Sequence, residues 1–196
     1  MEILYATKDL VACLKPVGVD SEKGVPELLT EQLGGTFYPV HRLDQGVGGL
    51  MVFARTPQAA AGMSKLIAQG ALSKTYLALV HGCPEEPEGR MEDLLWKDSR
   101  KNKVFVVKRQ RAGVKKAALS YRVMRKGEES LVKVLLETGR SHQIRVQFAS
   151  RGFPLVGDHK YGSRSKETNI HLFSAGLSFP WKGETLHFEA TPTWAE

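Results

Sequence analysis

Three stretches of the sequence hold residue types that could do chemistry. The first, His41 to Arg55, reads HRLDQGVGGLMVFAR and sets one carboxylate, Asp44, between Arg42 and a glycine-rich turn. A carboxylate on a stiff loop can serve as a general base or a nucleophile, and the glycines let a backbone or a ligand come close to it. It can equally pair with Arg42 or start a turn. The second stretch, Thr138 to Arg145, reads TGRSHQIR and puts His142 and Arg145 on one face of a helix, if the segment is helical. A buried arginine needs a carboxylate partner, and Asp44 is one that the chain offers. The third holds Tyr76, in KTYLALV from Lys74 to Val80. Its ring is either packed with the hydroxyl satisfied, or projects into a cleft where a base could stack on it for roughly 1–3 kcal/mol.

Other parts of the sequence must form the elements that hold these residues. The apolar run Leu50 to Ala54 predicts a strand buried on both faces, with Asp44 on the loop that feeds it. Ile3–Tyr5 and Leu10–Leu14 predict two short strands that lead into Lys15-Pro16-Val17-Gly18. From that loop Lys15 either reaches a phosphate or stands in solvent. Pro26–Leu33, with proline at N1 and glycines just beyond its end, predicts a short helix, and Pro57–Gln69 predicts a second that stops at Gly70. Lys74–Val80 alternates as a strand, with Tyr76, Ala78 and Val80 on one side. Pro84–Arg90 reads as an acidic loop, and Ala117–Met124 and Leu131–Glu137 as strands joined at Gly127. Ser141 is the expected N-cap of a helix carrying Ile144 and Phe148. Pro154–Gly162 is expected to be a turn-rich loop, and His171–Ala190 two strands around Pro180–Gly183.

At the scale of the chain, 196 residues favour one domain able to bury a core without staples. Two cysteines, Cys13 and Cys83, are too few for a disulfide framework or a zinc site, which points to a reducing, cytoplasmic setting. No stretch has the length and apolarity of a signal or a membrane span, and no glycine-rich phosphate loop has the right spacing. Lys and Arg number 28 against 21 Asp and Glu, a net charge of +7 that favours a polyanionic partner. The charge is not evenly spread. Lys97, Arg100, Lys101, Lys103, Lys108, Arg109, Arg111, Lys115 and Lys116 face a single acid, Asp98, within twenty residues. With the short strand Val104–Val107 between two basic turns, this stretch reads as a charged hairpin. It is either a solvated face or a contact for an RNA backbone.

KPVG at Lys15–Gly18, HRLD at His41–Asp44, KTYLALVHG at Lys74–Gly82, TGRSHQIRVQ at Thr138–Gln147 and PLVGDHKYG at Pro154–Gly162 follow one another over nearly the whole chain. In that combination the chain resembles the RluA-type pseudouridine synthases, which isomerise specific uridines in ribosomal or transfer RNA to the C-glycoside. The resemblance implies a single α+β domain over residues 1–196, with a mixed, mainly antiparallel sheet flanked by helices and loops and a central basic cleft. It implies that Asp44 is the catalytic aspartate, Tyr76 the tyrosine that stacks on the target base, and Arg145 the arginine that pairs with the catalytic carboxylate. Ile144 would be an apolar wall of the uracil pocket, and Arg42 an RNA contact or a plug for the space the uridine leaves. Beside what the resemblance implies, Arg140, His142 and Lys15 are further candidate substrate contacts, and the charge of Lys101, Lys103, Lys108, Arg109 and Arg111 makes them candidates for the RNA backbone.

No cofactor and no metal are expected, because the isomerisation changes no oxidation state. The implied partner is ribosomal or transfer RNA and the implied state a cytoplasmic monomer. No S4-type RNA-binding domain is expected, since the catalytic region begins within the first few residues. One segment departs from the family pattern: Gln45, Gly46, Val47, Gly48 and Gly49 stand where a segment resembling KDTSG usually follows HRLD. Charge and hydroxyl groups just beyond Asp44 are thereby lost. Two rivals are a relative that binds RNA without turnover, and an unrelated carboxylate hydrolase. The hydrolase would need a second acid, and the sequence nominates none.

Overall fold

The computed structural model describes all of residues 1–196. They form two compact units, Met1–Lys74 with Phe173–Pro192, and Thr75–Leu172 with Thr193–Glu196. In the first unit, strands β1 (Ile3–Ala6) and β2 (Leu10–Lys15) form the expected antiparallel pair. The Thr7 hydroxyl accepts the N–H groups of Asp9 and Leu10 and so fixes the turn between them. Helix α1 (Gly24–Leu33) starts earlier than the sequence suggested, because Asp20 takes the N–H groups of Glu22 and Lys23 and begins the turn ahead of Pro26. After strand β3 (Tyr38–Pro39) comes β4 (Gly48–Ala54), buried along its entire length as its apolar run requires. Strand β2 pairs antiparallel along one edge of β4, while β3 and the strand at Leu172–Trp181 share the other.

Helix α2 (Pro57–Ala68) has Pro57 at N1, and the Thr56 hydroxyl caps it by accepting the Ala59 N–H. It sets Ala59 and Met63 against Leu10, Ala12, Leu50 and Val52, so the helix exists to cover one face of β2 and β4. The strand Leu172–Trp181 and the one at Glu184–Glu189 make the expected hairpin.

The second unit is a sheet with one helix on it. Its strands are β5 (Ser73–His81), β6 (Glu88–Asp98), β7 (Lys103–Val107), β8 (Val114–Arg125) and β9 (Glu129–Leu136), in the order β5-β9-β8-β6-β7. The hairpin at the end of the chain is therefore β10 and β11. Two expectations need correction here. The acidic loop at Pro84–Arg90 ends at Pro87, because Glu88, Gly89 and Arg90 pair with Arg122, Tyr121 and Ser120. The basic stretch is not a plain hairpin: β7 pairs with β6, and β8 crosses to the opposite edge of β6. Leu95 of β6, Val104 of β7 and Ala117 of β8 pack with Val146 in one small core, which makes β6 the middle strand.

Val146 lies on helix α3 (Gln143–Ala149), whose residues Gln143 to Phe148 are all buried. The expected cap at Ser141 is not used. His142 takes the N-cap position at φ 51°, and Gln143 accepts the Thr138 hydroxyl and the Arg140 N–H. The architecture is α+β with mixed, mainly antiparallel strands, parallel where Phe173 and Ser174 meet Gly48 and Gly49. No helix is long and apolar enough to cross a membrane.

Candidate active site

Asp44 stands on the loop between β3 and β4, and that loop is tied down on three sides within the first unit. The Ser21 hydroxyl donates to the Leu43 carbonyl at 2.9 Å and accepts the Leu43 N–H. His41 Nε2 accepts the Val52 N–H of β4 at 3.0 Å. Burial pushes the pKa of the His41 imidazole down to about 3, so it is neutral and carries its proton on Nδ1. On the third side Gln45 exchanges bonds with Gly18, its carbonyl accepting at 2.8 Å and its side-chain amide donating at 2.9 Å. The residue that departs from the family pattern therefore locks the Asp44 loop to the KPVG loop.

Lys15 completes this lock, and both expectations for it are corrected. It ends β2 only 2% exposed, neither solvated nor extended toward a phosphate. Its ammonium donates to the carbonyls of Pro16 and Val19 at 2.8 Å and of Gln45 at 3.1 Å. Burial pulls its pKa down to about 8, against the pull of the Asp20 and Asp44 carboxylates, so Asp44 has a buried cation within its field. Arg42 points away to Glu22 at 3.6 Å and is more than half exposed, which suits a contact with an outside ligand better than a structural pair. Gly49, at φ 115°, opens β4 where any Cβ would run into the backbone of Ser174. Gly49 thus serves the close approach of two strands.

In the second unit, Tyr76 lies on β5 with 6% of its surface exposed, and Ile144 is buried on α3. Arg145, 6% exposed, makes a fork to Asp158, Nε to Oδ2 at 2.7 Å and Nη2 to Oδ1 at 2.9 Å. Asp158 is 1% exposed. The Arg145 guanidinium lies 5.1 Å from the Tyr161 ring centroid, and Lys103 Nζ lies 5.3 Å from the same centroid. The Tyr161 oxygen accepts the Val104 N–H at 2.8 Å and stands 2.8 Å from His142 Nδ1. His142 and Arg145 therefore both reach Tyr161, the one at its hydroxyl and the other at its ring. Arg140 is exposed and donates to the Lys116 carbonyl. Lys101, Lys108 and Arg109 stand in solvent around the ends of β7.

Asp158 and Tyr161 are the residues that sequence reasoning left without a role. Both sit in the PLVGDHKYG segment, and the available signal was a buried arginine on the preceding helix in need of a carboxylate. Chemically, the first unit offers an anion on a rigid loop beside a buried cation. The second offers a guanidinium held in one orientation by a carboxylate and an aromatic ring.

The chain matches the family model described as RNA pseudouridylate synthase over residues 9–150. An uncharacterised RNA pseudouridine synthase of Bacillus subtilis is 32% identical, over 97% of this chain and 68% of its own length. A protein of Zymomonas mobilis named ribosomal large subunit pseudouridine synthase D is 33% identical, over 81% of this chain and 54% of its own. Among solved structures, human RNA pseudouridylate synthase domain containing 1 superposes with a TM-score of 0.87 at 24% identity, covering 97% of this chain and 83% of that one. Human RNA pseudouridylate synthase domain containing 4 gives 0.83 at 23% identity, over 99% and 90%. These two establish the likeness of fold. The family match, which takes in Asp44, Tyr76 and Arg145, and the Bacillus relative establish more: the chain belongs to the RNA pseudouridylate synthase family, a family of RNA-modifying isomerases.

Proposed function

We propose that this enzyme isomerises specific uridines of a ribosomal or transfer RNA to pseudouridine, with Asp44 as the catalytic carboxylate and residues 1–196 serving one monomeric catalytic domain. The observation that carries the reading is the family match across HRLD, KTYLALVHG and TGRSHQIRVQ in one order. The name of the Zymomonas relative favours ribosomal RNA.

The reaction breaks the bond from ribose C1′ to uracil N1, turns the base, and joins C5 to C1′. C5 releases a proton and N1 gains one, so atoms and charge balance. An ionised Asp44 serves either route, attack on the sugar carbon or removal of a sugar proton. The loop ties at Ser21, His41 and Gln45 support this role, because a reactive group must be held near its working geometry. The buried Lys15 ammonium is part of the same tied structure, donating to the Gln45 carbonyl beside Asp44. Tyr76 is the ring for the target base and Ile144 an apolar surface beside it, while Arg145 supplies a fixed cation. Arg42, exposed beside the loop, meets the RNA. A base must leave its stack to react, at a cost of a few kcal/mol that phosphate contacts from the basic stretch offset.

The test is incubation with RNA carrying tritium at uracil C5. Tritium released in step with pseudouridine formed is the expected result. RNA binding with no release would identify a relative that binds without turnover.

A further inference from the structure

The end of the second unit, where β6 turns into β7, carries an arrangement that uridine isomerisation does not require. Trp96 and Phe105 pair in register across the two strands, with ring centroids 6.2 Å apart and planes 31° apart. Phe105 stands on the edge strand, 36% exposed. Arg111 lays its guanidinium 5.2 Å from the Trp96 ring, and Lys103 Nζ lies 5.8 Å from the Phe105 ring. The one acid of the stretch, Asp98, turns its carboxylate onto the N–H groups of Arg100 and Lys101. Ion pairs of this unit on Arg90, Arg122, Arg145 and Arg151 lie away from this tip.

The half-exposed Phe105 ring presents a flat apolar face on the edge strand. Cations around a shallow stack of flat groups fit one occupant well: phosphates meet the cations while a base lies on the ring. A bilayer would ask for several protruding apolar side chains, and at this tip Phe105 is the large one that stands out. The platform is also joined to the candidate site within its own unit. Lys103 touches both Phe105 and Tyr161, and Tyr161 carries Arg145 on its ring.

We propose that Phe105, backed by Trp96 and flanked by Lys103 and Arg111, is a stacking subsite for one unpaired nucleotide of the RNA substrate, distinct from the uridine that reacts. The inference rests on RNA being the substrate. It is tested by anisotropy titrations of labelled single-stranded oligouridylate and of an abasic strand of equal length and charge. The wild type binds oligouridylate more tightly than the abasic strand. Phe105→Ala loses about five- to a hundredfold on oligouridylate and nothing on the abasic strand, with an unchanged salt slope, while Phe105→Tyr keeps wild-type affinity. Equal affinity of Phe105→Ala and wild type for oligouridylate, equal losses on both strands, or a wild type that binds the two alike would each overturn the subsite. Binding is read without turnover. Tritium released in full by Asp44→Asn would therefore remove the catalytic assignment and leave this result standing.

Discussion

Arg145 and Asp158 are both buried, and the fork between them offsets part of the cost of burying each charge. Removing one partner of such a pair leaves an uncompensated charge and typically costs about 3–5 kcal/mol. Asp158→Asn should lower the stability measured by urea unfolding by about that amount; a loss below about 1 kcal/mol would mean that the fork contributes little. At this scale the sequence was partly legible. It showed that Arg145 needed a carboxylate and put Asp44 forward, but it gave Asp158 no role, because a pair between a helix and the loop after it leaves no periodic trace. Lys15 was misread for a related reason. Lysine at the edge of a proline–glycine loop reads as solvated, and only the folded backbone shows three carbonyls converging on its ammonium.

The loop from β3 to β4 shows how an element holds a reactive residue, and its stability carries a pH signature. The folded state keeps His41 neutral down to about pH 3, whereas the unfolded chain takes up a proton near pH 6.5. Below pH 6.5 the unfolded state thus binds a proton that the folded state refuses, so this group makes stability fall as pH drops from about 6.5 toward 3, and contributes no slope above. The linkage amounts to about 2 kcal/mol between pH 7 and pH 5. His41→Gln keeps an acceptor for the Val52 N–H but does not titrate. Its urea midpoint should fall less than that of the wild type between those two pH values, and identical falls would contradict the assignment. Among the elements, β2, β4, α2 and β10 were legible because each buries a continuous or periodic apolar face. Strand β6 was not, since Arg90 and Glu92 alternate with buried Met91 along it, and the prolines before it suggested a longer loop.

For the molecule as a whole, the net charge of +7 was visible in the composition, and so was its concentration between Lys97 and Lys116. The strand order was not visible, because a three-stranded arrangement with β6 in the middle depends on pairings distant in sequence. If this end of the protein holds RNA through its phosphates, the combined change Lys101→Glu, Lys108→Glu and Arg109→Glu should weaken binding. It should also flatten the dependence of log affinity on log salt by about 0.7–0.9 for each phosphate no longer neutralised. Titrations at several salt concentrations check this, and an unchanged slope would show that the RNA lies elsewhere. The family is established over residues 9–150, and the claim most specific to this chain is that one carboxylate on a well-tied loop carries the reaction. That claim is tested most directly by comparing Asp44→Asn with the wild type on RNA tritiated at uracil C5. The expected result is tritium release by the wild type, no release by the variant, and RNA affinity within a few-fold of wild type; full release by Asp44→Asn would contradict it.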